Sequence, residues 1–170
     1  SSGWSNSALV VTVSPDDWGG GGLGGIDFQH RWERQAFIAG GGKFLAPAQN
    51  LLSFAGRGSG PVRPSCRPGV VESELGQVLP DYVSDALRVA LPHFDRQMRG
   101  FMTREAVLVG VETRTSAPLR IVRDERGASL SHPCLYPAGE GAGYAGGIMS
   151  AAFDGLRTAE NVLCRFALQE

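Results

Sequence analysis

The segment Leu135-Tyr-Pro-Ala-Gly-Glu-Gly-Ala-Gly-Tyr-Ala-Gly-Gly-Ile148 constrains this chain more than any other. Leu135–Ala138 is a short apolar run that reads as a strand. It empties into a loop holding five glycines, Gly139, Gly141, Gly143, Gly146 and Gly147. From Ile148 the period turns helical, with Ile148, Ala152, Leu156, Ala159 and Leu163 three or four apart, a single stripe expected to be buried. Small residues at Ala151, Ala152, Gly155 and Ala159 suit close packing on a sheet. Glycines let backbone approach a ligand, and the first amides of a helix carry its positive dipole end. The pattern is therefore a strand–loop–helix suited to phosphates or electronegative oxygens, unless the glycines serve tight packing alone.

Gly141-Ala-Gly-Tyr-Ala-Gly146 is also a G-x-G-x-x-G. That spelling marks a dinucleotide site only when a second strand follows, carrying an acid about 20 residues on. Residues 148–168 are consumed by one helix and the sequence stops at Glu170, so no second strand fits. The loop is expected to be the last strand and helix of a nucleotide domain, not the first.

Four stretches resemble the C-terminal part of bacterial FAD-dependent dehydrogenases, the group of uncharacterised NAD(P)/FAD-dependent oxidoreductases. They are GIDFQHRWERQAFIAGGGKFLAPAQ (25–49), PVRPSCRPGV (61–70), VETRTSAPLRIVRDE (111–125) and LYPAGEGAGYAGGIMSAAFDGLRTAENV (135–162). The resemblance implies an α+β chain with α/β character at its C-terminus. Residues 1–104 would be an insertion or substrate-side segment, and 105–170 the C-terminal strand–loop–helix of a split, Rossmann-like FAD-binding domain. It implies that an ADP-gripping element belongs upstream, so that this chain alone is inactive and holds FAD weakly or not at all. It also implies that Gly139, Glu140, Gly141, Gly143, Tyr144, Gly146, Gly147 and Ile148 bind the ribityl and flavin end, with Glu140 accepting from ribityl hydroxyls. Read structurally, Glu140 instead caps backbone amides, and Tyr144 is an exposed loop residue. The same resemblance turns Glu112, Arg114 and Thr115, just past a strand end, toward flavin or substrate. The planar fork of Arg114 suits a substrate carboxylate; the alternative is a structural pairing with Glu112 or Glu105. No catalytic residue is identified; the substrate is an unidentified small molecule, and NAD(P)H is a candidate partner.

Composition removes several classes. Sixteen basic residues against 17 acidic ones leave no field for nucleic acid or an anionic membrane. No apolar run reaches the roughly 18–20 residues of a membrane span. His30, His93 and His132 are scattered without metal-ligand spacing, and no G-x-S-x-G supports a hydrolase. Three distant cysteines, Cys66, Cys134 and Cys164, suit buried or idle thiols in the cytoplasm. Two other function classes stay open: a non-redox nucleotide- or anion-binding module, and an interaction scaffold without ligand. Apolar surface left by a missing upstream part is expected to favour a homodimer.

Further elements follow from pattern. Ala8–Val13 and Ala106–Val111 read as strands, as does Leu119–Arg123. A helix is expected from Asp27 to the glycines at 40–42, and another from Pro80 to Leu91, where Pro92 should break it before a short helical piece at 93–99. Residues 53–70, rich in Gly, Pro, Ser and Arg, read as a long surface loop.

Overall fold

A computed structural model describes residues 3–167. The chain is α+β, and divides into two compact units. The first contains the residues up to Asp17 together with Phe28–Thr113. The second contains Trp18–Asp27 and the residues from Arg114 onward.

In the first unit, helix α1 (Gly24–Ala39, its first turn belonging to the second unit) leads to strand β1 (Ala46–Asn50) and one-turn helix α2 (Leu51–Phe54). Strand β2 (Val70–Glu72), helix α3 (Asp81–Gln97) and strand β3 (Val107–Val109) follow. The sheet order is β2-β1-β3, with β1 parallel to β2 (Ala46 opposite Val70) and antiparallel to β3 (Gln49 opposite Leu108). Helix α1 ends where the sequence places its stop: Gly40 has Leu45 and its carbonyl so close that no Cβ would fit. Leu51, Phe54, Leu75, Val78, Leu87 and Leu91 form the core. Two buried polar residues tie the central strand to its surroundings. Asn50 caps α2 by accepting from the Leu52 and Ser53 amides, and donates to the Arg104 carbonyl at 2.8 Å. Gln49 donates to Glu74 at 2.7 Å and accepts from the Leu75 amide at 2.9 Å. Buried amides satisfied on both sides in this way fix the strand without leaving an unpaired group.

Two expectations fail in this unit. Residues 8–13 form no strand and pair with none among the described residues. Leu9 and Val11 pack on the core while Val10 is 69% exposed, so the alternation records a half-buried segment without a ladder. Pro92 does not break α3, which runs through it to Gln97. An internal proline costs about 3 kcal/mol; burial of Leu87 and Leu91 before it, and the Phe94–Phe101 edge contact after it, hold the helix together.

The second unit holds helix α4 (Ile148–Phe166) and a long irregular segment. Neither Leu119–Arg123 nor Leu135–Ala138 forms a strand; Arg123 and Ser129 make one isolated bridge. The backbone groups of the second segment are engaged elsewhere: the Leu135 carbonyl accepts from the Ser129 amide and the Pro137 carbonyl from the Arg123 guanidinium at 2.7 Å, and Pro137 has no N–H to offer a ladder. The stripe expected to be buried on α4 faces outward, with Ile148 90%, Leu156 66% and Leu163 70% exposed. The inward face carries Asp154, Thr158 and Asn161 instead. The buried residues of this unit are small, among them Ala128, Ser129, Pro137, Ala142 and Thr158.

Candidate glycine loop site

The glycine loop lies wholly in the second unit, and Arg123 ties its start to the helix that follows. Arg123 grips Asp154 of α4 with both arms, at 2.6 and 3.0 Å, and also donates to the Pro137 carbonyl. Asp154 accepts in addition from the Gly139 amide at 2.8 Å. One carboxylate thus joins the loop's first glycine, the preceding segment and the helix that follows. The two charged side chains are only 17% and 14% exposed. The Arg123 guanidinium holds the Asp154 carboxyl below the usual carboxylate range, helped by the Gly139 amide; the same hydrogen bond raises Arg123 further.

Tyr144 closes the other side. Its ring lies 3.6 Å beneath Arg123 and 5.0 Å from Arg120. Its hydroxyl donates to the Ile121 carbonyl and accepts from the Arg123 amide. Within the loop, the Tyr144 amide donates to the Gly139 carbonyl and the Gly143 amide to the Glu140 carbonyl. Two glycines are demanded by geometry: Gly139 has φ 71°, and Gly143 has φ 82° with the Leu119 carbonyl where a Cβ would lie. Arg120 donates to the Gly143 carbonyl at 2.9 Å, pinning that approach.

Gly141 and Gly146 differ: nothing lies within 4 Å of the positions their Cβ atoms would take. The open space at Gly146 adjoins a bare helix end. Gly147 is the N-cap of α4, no side chain caps it, and the first turn holds no acid. The leading amides and positive dipole end of a 19-residue helix are thus uncompensated from within. No described group hydrogen-bonds the Glu140 carboxylate, so its capping reading has no support in the geometry. Ile148, at the first helical position, projects outward.

The predicted residues Gly139–Ile148 therefore form one continuous loop and helix start. The other predicted group is divided: Glu112 belongs to the first unit, Arg114 and Thr115 to the second, and all three are exposed. The sequence reading missed Arg123 and Asp154. A signal was present, since Asp154, Thr158 and Asn161 stand at i, i+4 and i+7, a polar stripe opposite the apolar one. Cys66, Cys134 and Cys164 are free and exposed, not buried. Among the described residues no helix is long and apolar enough to cross a membrane.

Comparison with known proteins gives this geometry its setting. An uncharacterized protein of Clostridium beijerinckii is 46% identical over 168 residues, covering 96% of this chain and 32% of that protein. The chain therefore spans about a third of the length of the relative it matches. A family model described as "FAD-dependent protein, C-terminal domain-like" matches residues 1–115, ending where the chain passes from the first unit to the second. With so much of its length in that match, and a relative similar across both units, the chain belongs to the family of FAD-dependent protein C-terminal domain-like sequences.

Proposed function

We propose that the chain is the C-terminal part of an FAD-dependent oxidoreductase, and that its glycine loop serves the ribityl and flavin end of the cofactor. The observation that carries this reading is the uncapped start of α4, with open space at Gly146 next to it and at Gly141 in the same loop, a loop locked by Arg123, Asp154 and Tyr144. FAD, when bound, supplies the redox-active ring; this chain supplies position and field. The amides of Ile148 and Met149 would donate to electronegative atoms, where preorganised dipoles stabilise negative charge without reorganising. Glu140, its carboxylate unengaged, would accept from ribityl hydroxyls. Gly139 and Gly143 would shape the loop while Gly141, Gly146 and Gly147 let the cofactor approach. Tyr144 would act mainly as a brace, since its hydroxyl and one ring face are already engaged. Arg114 would receive a substrate carboxylate, with Glu112 and Thr115 its neighbours in sequence. Free, exposed thiols suit a reducing, cytoplasmic setting.

The full-length polypeptide tests this reading. Purified without added flavin, it should carry a flavin spectrum with about one FAD released per chain, and the 170-residue chain should not. Bleaching of that spectrum by NADH or NADPH would identify the electron donor. A full-length protein that stays colourless after incubation with FAD would end the proposal. The bare helix end also suits other anions, so calorimetry with FAD, ATP and NAD separates a flavin site from a non-redox nucleotide module.

A further inference from the structure

The outward face of α4 belongs to none of this chemistry. Ile148, Met149, Phe153, Leu156, Leu163 and Phe166 are between 64% and 90% exposed. At 3.6 residues per turn they fall within an arc of roughly 140°, along a helix roughly 28 Å long. Glu160 is the one charged residue within that arc, near its edge. A stripe of this size is larger than the isolated apolar side chains that monomers leave in water, and marks an interface. Its flanks exclude a membrane surface, because a surface-bound helix needs a basic polar face, whereas α4 balances Arg157 and Arg165 with Asp154 and Glu160.

We infer that this stripe docks against an uncharged apolar face on the preceding part of the same polypeptide. Two observations choose that occupant. The relative extends far beyond the region matched here, which covers 32% of it, and the matching family is described as a C-terminal domain, so the further length fits upstream. The unit bearing α4 has only small buried residues, so its own core does not account for the order of a helix this long; tertiary packing of an apolar face normally does. A covalently linked face also acts at an effective concentration of about millimolar, well above that of a free second copy at ordinary concentrations.

The test is methionine oxidation by dilute hydrogen peroxide, read by mass spectrometry on the full-length polypeptide and on the 170-residue chain. Met149 is 81% exposed and central to the question; Met98, 52% exposed in the first unit, is the internal reference. Oxidation follows exposure, so the Met149-to-Met98 rate ratio should fall about tenfold in the full-length protein. An equal ratio in the two proteins would overturn the inference. So would protection already present in the 170-residue chain and rising with its concentration, which assigns the stripe to a second copy. The readout is independent of flavin: a colourless full-length protein with Met149 protected would end the FAD reading and leave this one standing.

Discussion

Helices α3 and α4 are nearly equal in length, and both carry an apolar stripe on one side and polar residues on the other. In the first unit, α3 turns its stripe inward: Leu87 is 9% exposed and Leu91 is fully buried, beneath Phe54, Leu75 and Val78. In the second unit, α4 turns its stripe outward and anchors its polar side. Asp154 is bound by Arg123 and the Gly139 amide, and Arg165 donates to the Pro133 carbonyl and the Tyr136 hydroxyl. Apolar burial organises one unit; hydrogen bonds and an ion pair organise the other. The lesson is that periodicity establishes that a helix forms and which face seeks cover. It does not say which part of a polypeptide supplies the cover.

The sharpest way to break this contrast is to cut each unit at its organising contact. Leu91→Ala removes a side chain with no exposed surface, and should destabilise the first unit by about 2–5 kcal/mol, the transfer loss plus the cavity left behind. Urea unfolding followed by fluorescence of Trp32, which packs in that unit on α1, measures it. A loss below about 1 kcal/mol would mean the core is not where stability resides.

Asp154→Asn strikes the other unit. The variant leaves the Arg123 charge, 17% exposed, without its counter-ion, a defect of about 2–3 kcal/mol. Hydrogen exchange at the Gly139 amide should accelerate by roughly 30- to 100-fold, at tenfold per 1.4 kcal/mol. Exchange at the Leu75 amide, bonded to Gln49 in the first unit, should not change. The pH dependence follows in sign. The folded-state pKa of Asp154 is depressed, by the Arg123 hydrogen bond first and the Gly139 amide second. Its stabilisation is complete above the unfolded carboxylate value of about 3.9, and is lost as pH falls through the lower folded value. Gly139 protection should therefore hold from neutrality to about pH 4 and decay below it in the native protein. The asparagine variant should lack this acid limb.

Gly143→Ala tests whether the loop's shape is dictated by backbone geometry. A Cβ there meets the Leu119 carbonyl at a φ of 82°, so both sterics and conformation oppose it. The expected cost is about 1–3 kcal/mol. Gly141→Ala, with open space around its Cβ position and no positive φ, should cost under about 1 kcal/mol on the same assay. Equal effects would mean the loop rearranges freely and is not preorganised.

Much of the first unit was readable from local pattern. The glycines at 40–42 stop α1, the β-branched run at 106–111 contains β3, and the Pro- and Gly-rich stretch after Phe54 is a loop. Pro92 misled because tertiary burial outweighed a local breaker. Residues 8–13, 119–123 and 135–138 misled for a shared reason. Each has strand composition, but a strand needs a continuous ladder of paired N–H and C=O groups, and among the described residues these segments make none, only scattered backbone bonds and the single Arg123–Ser129 bridge. The candidate site was legible as far as glycine and helix-start chemistry reach. Arg123 stayed hidden because its partner lies 31 residues away, and that pairing is a property of the folded chain.

The smallest expected effect completes the comparison. Leu156→Ala resembles Leu91→Ala in chemistry, helix context and volume removed, yet Leu156 is 66% exposed. In the 170-residue chain, truncating it removes mostly solvent-facing surface, and alanine is the better helix former by a few tenths of a kcal/mol. Its stability change should therefore lie within about ±0.5 kcal/mol, against the several lost at Leu91. In the full-length polypeptide the same substitution should cost about 2 kcal/mol or more, because docking places that side chain in an apolar interface. Equal, small effects in both proteins would leave α4 with an apolar face that nothing covers. The two helices would then differ in their need for burial itself, and not merely in which part of the polypeptide provides it.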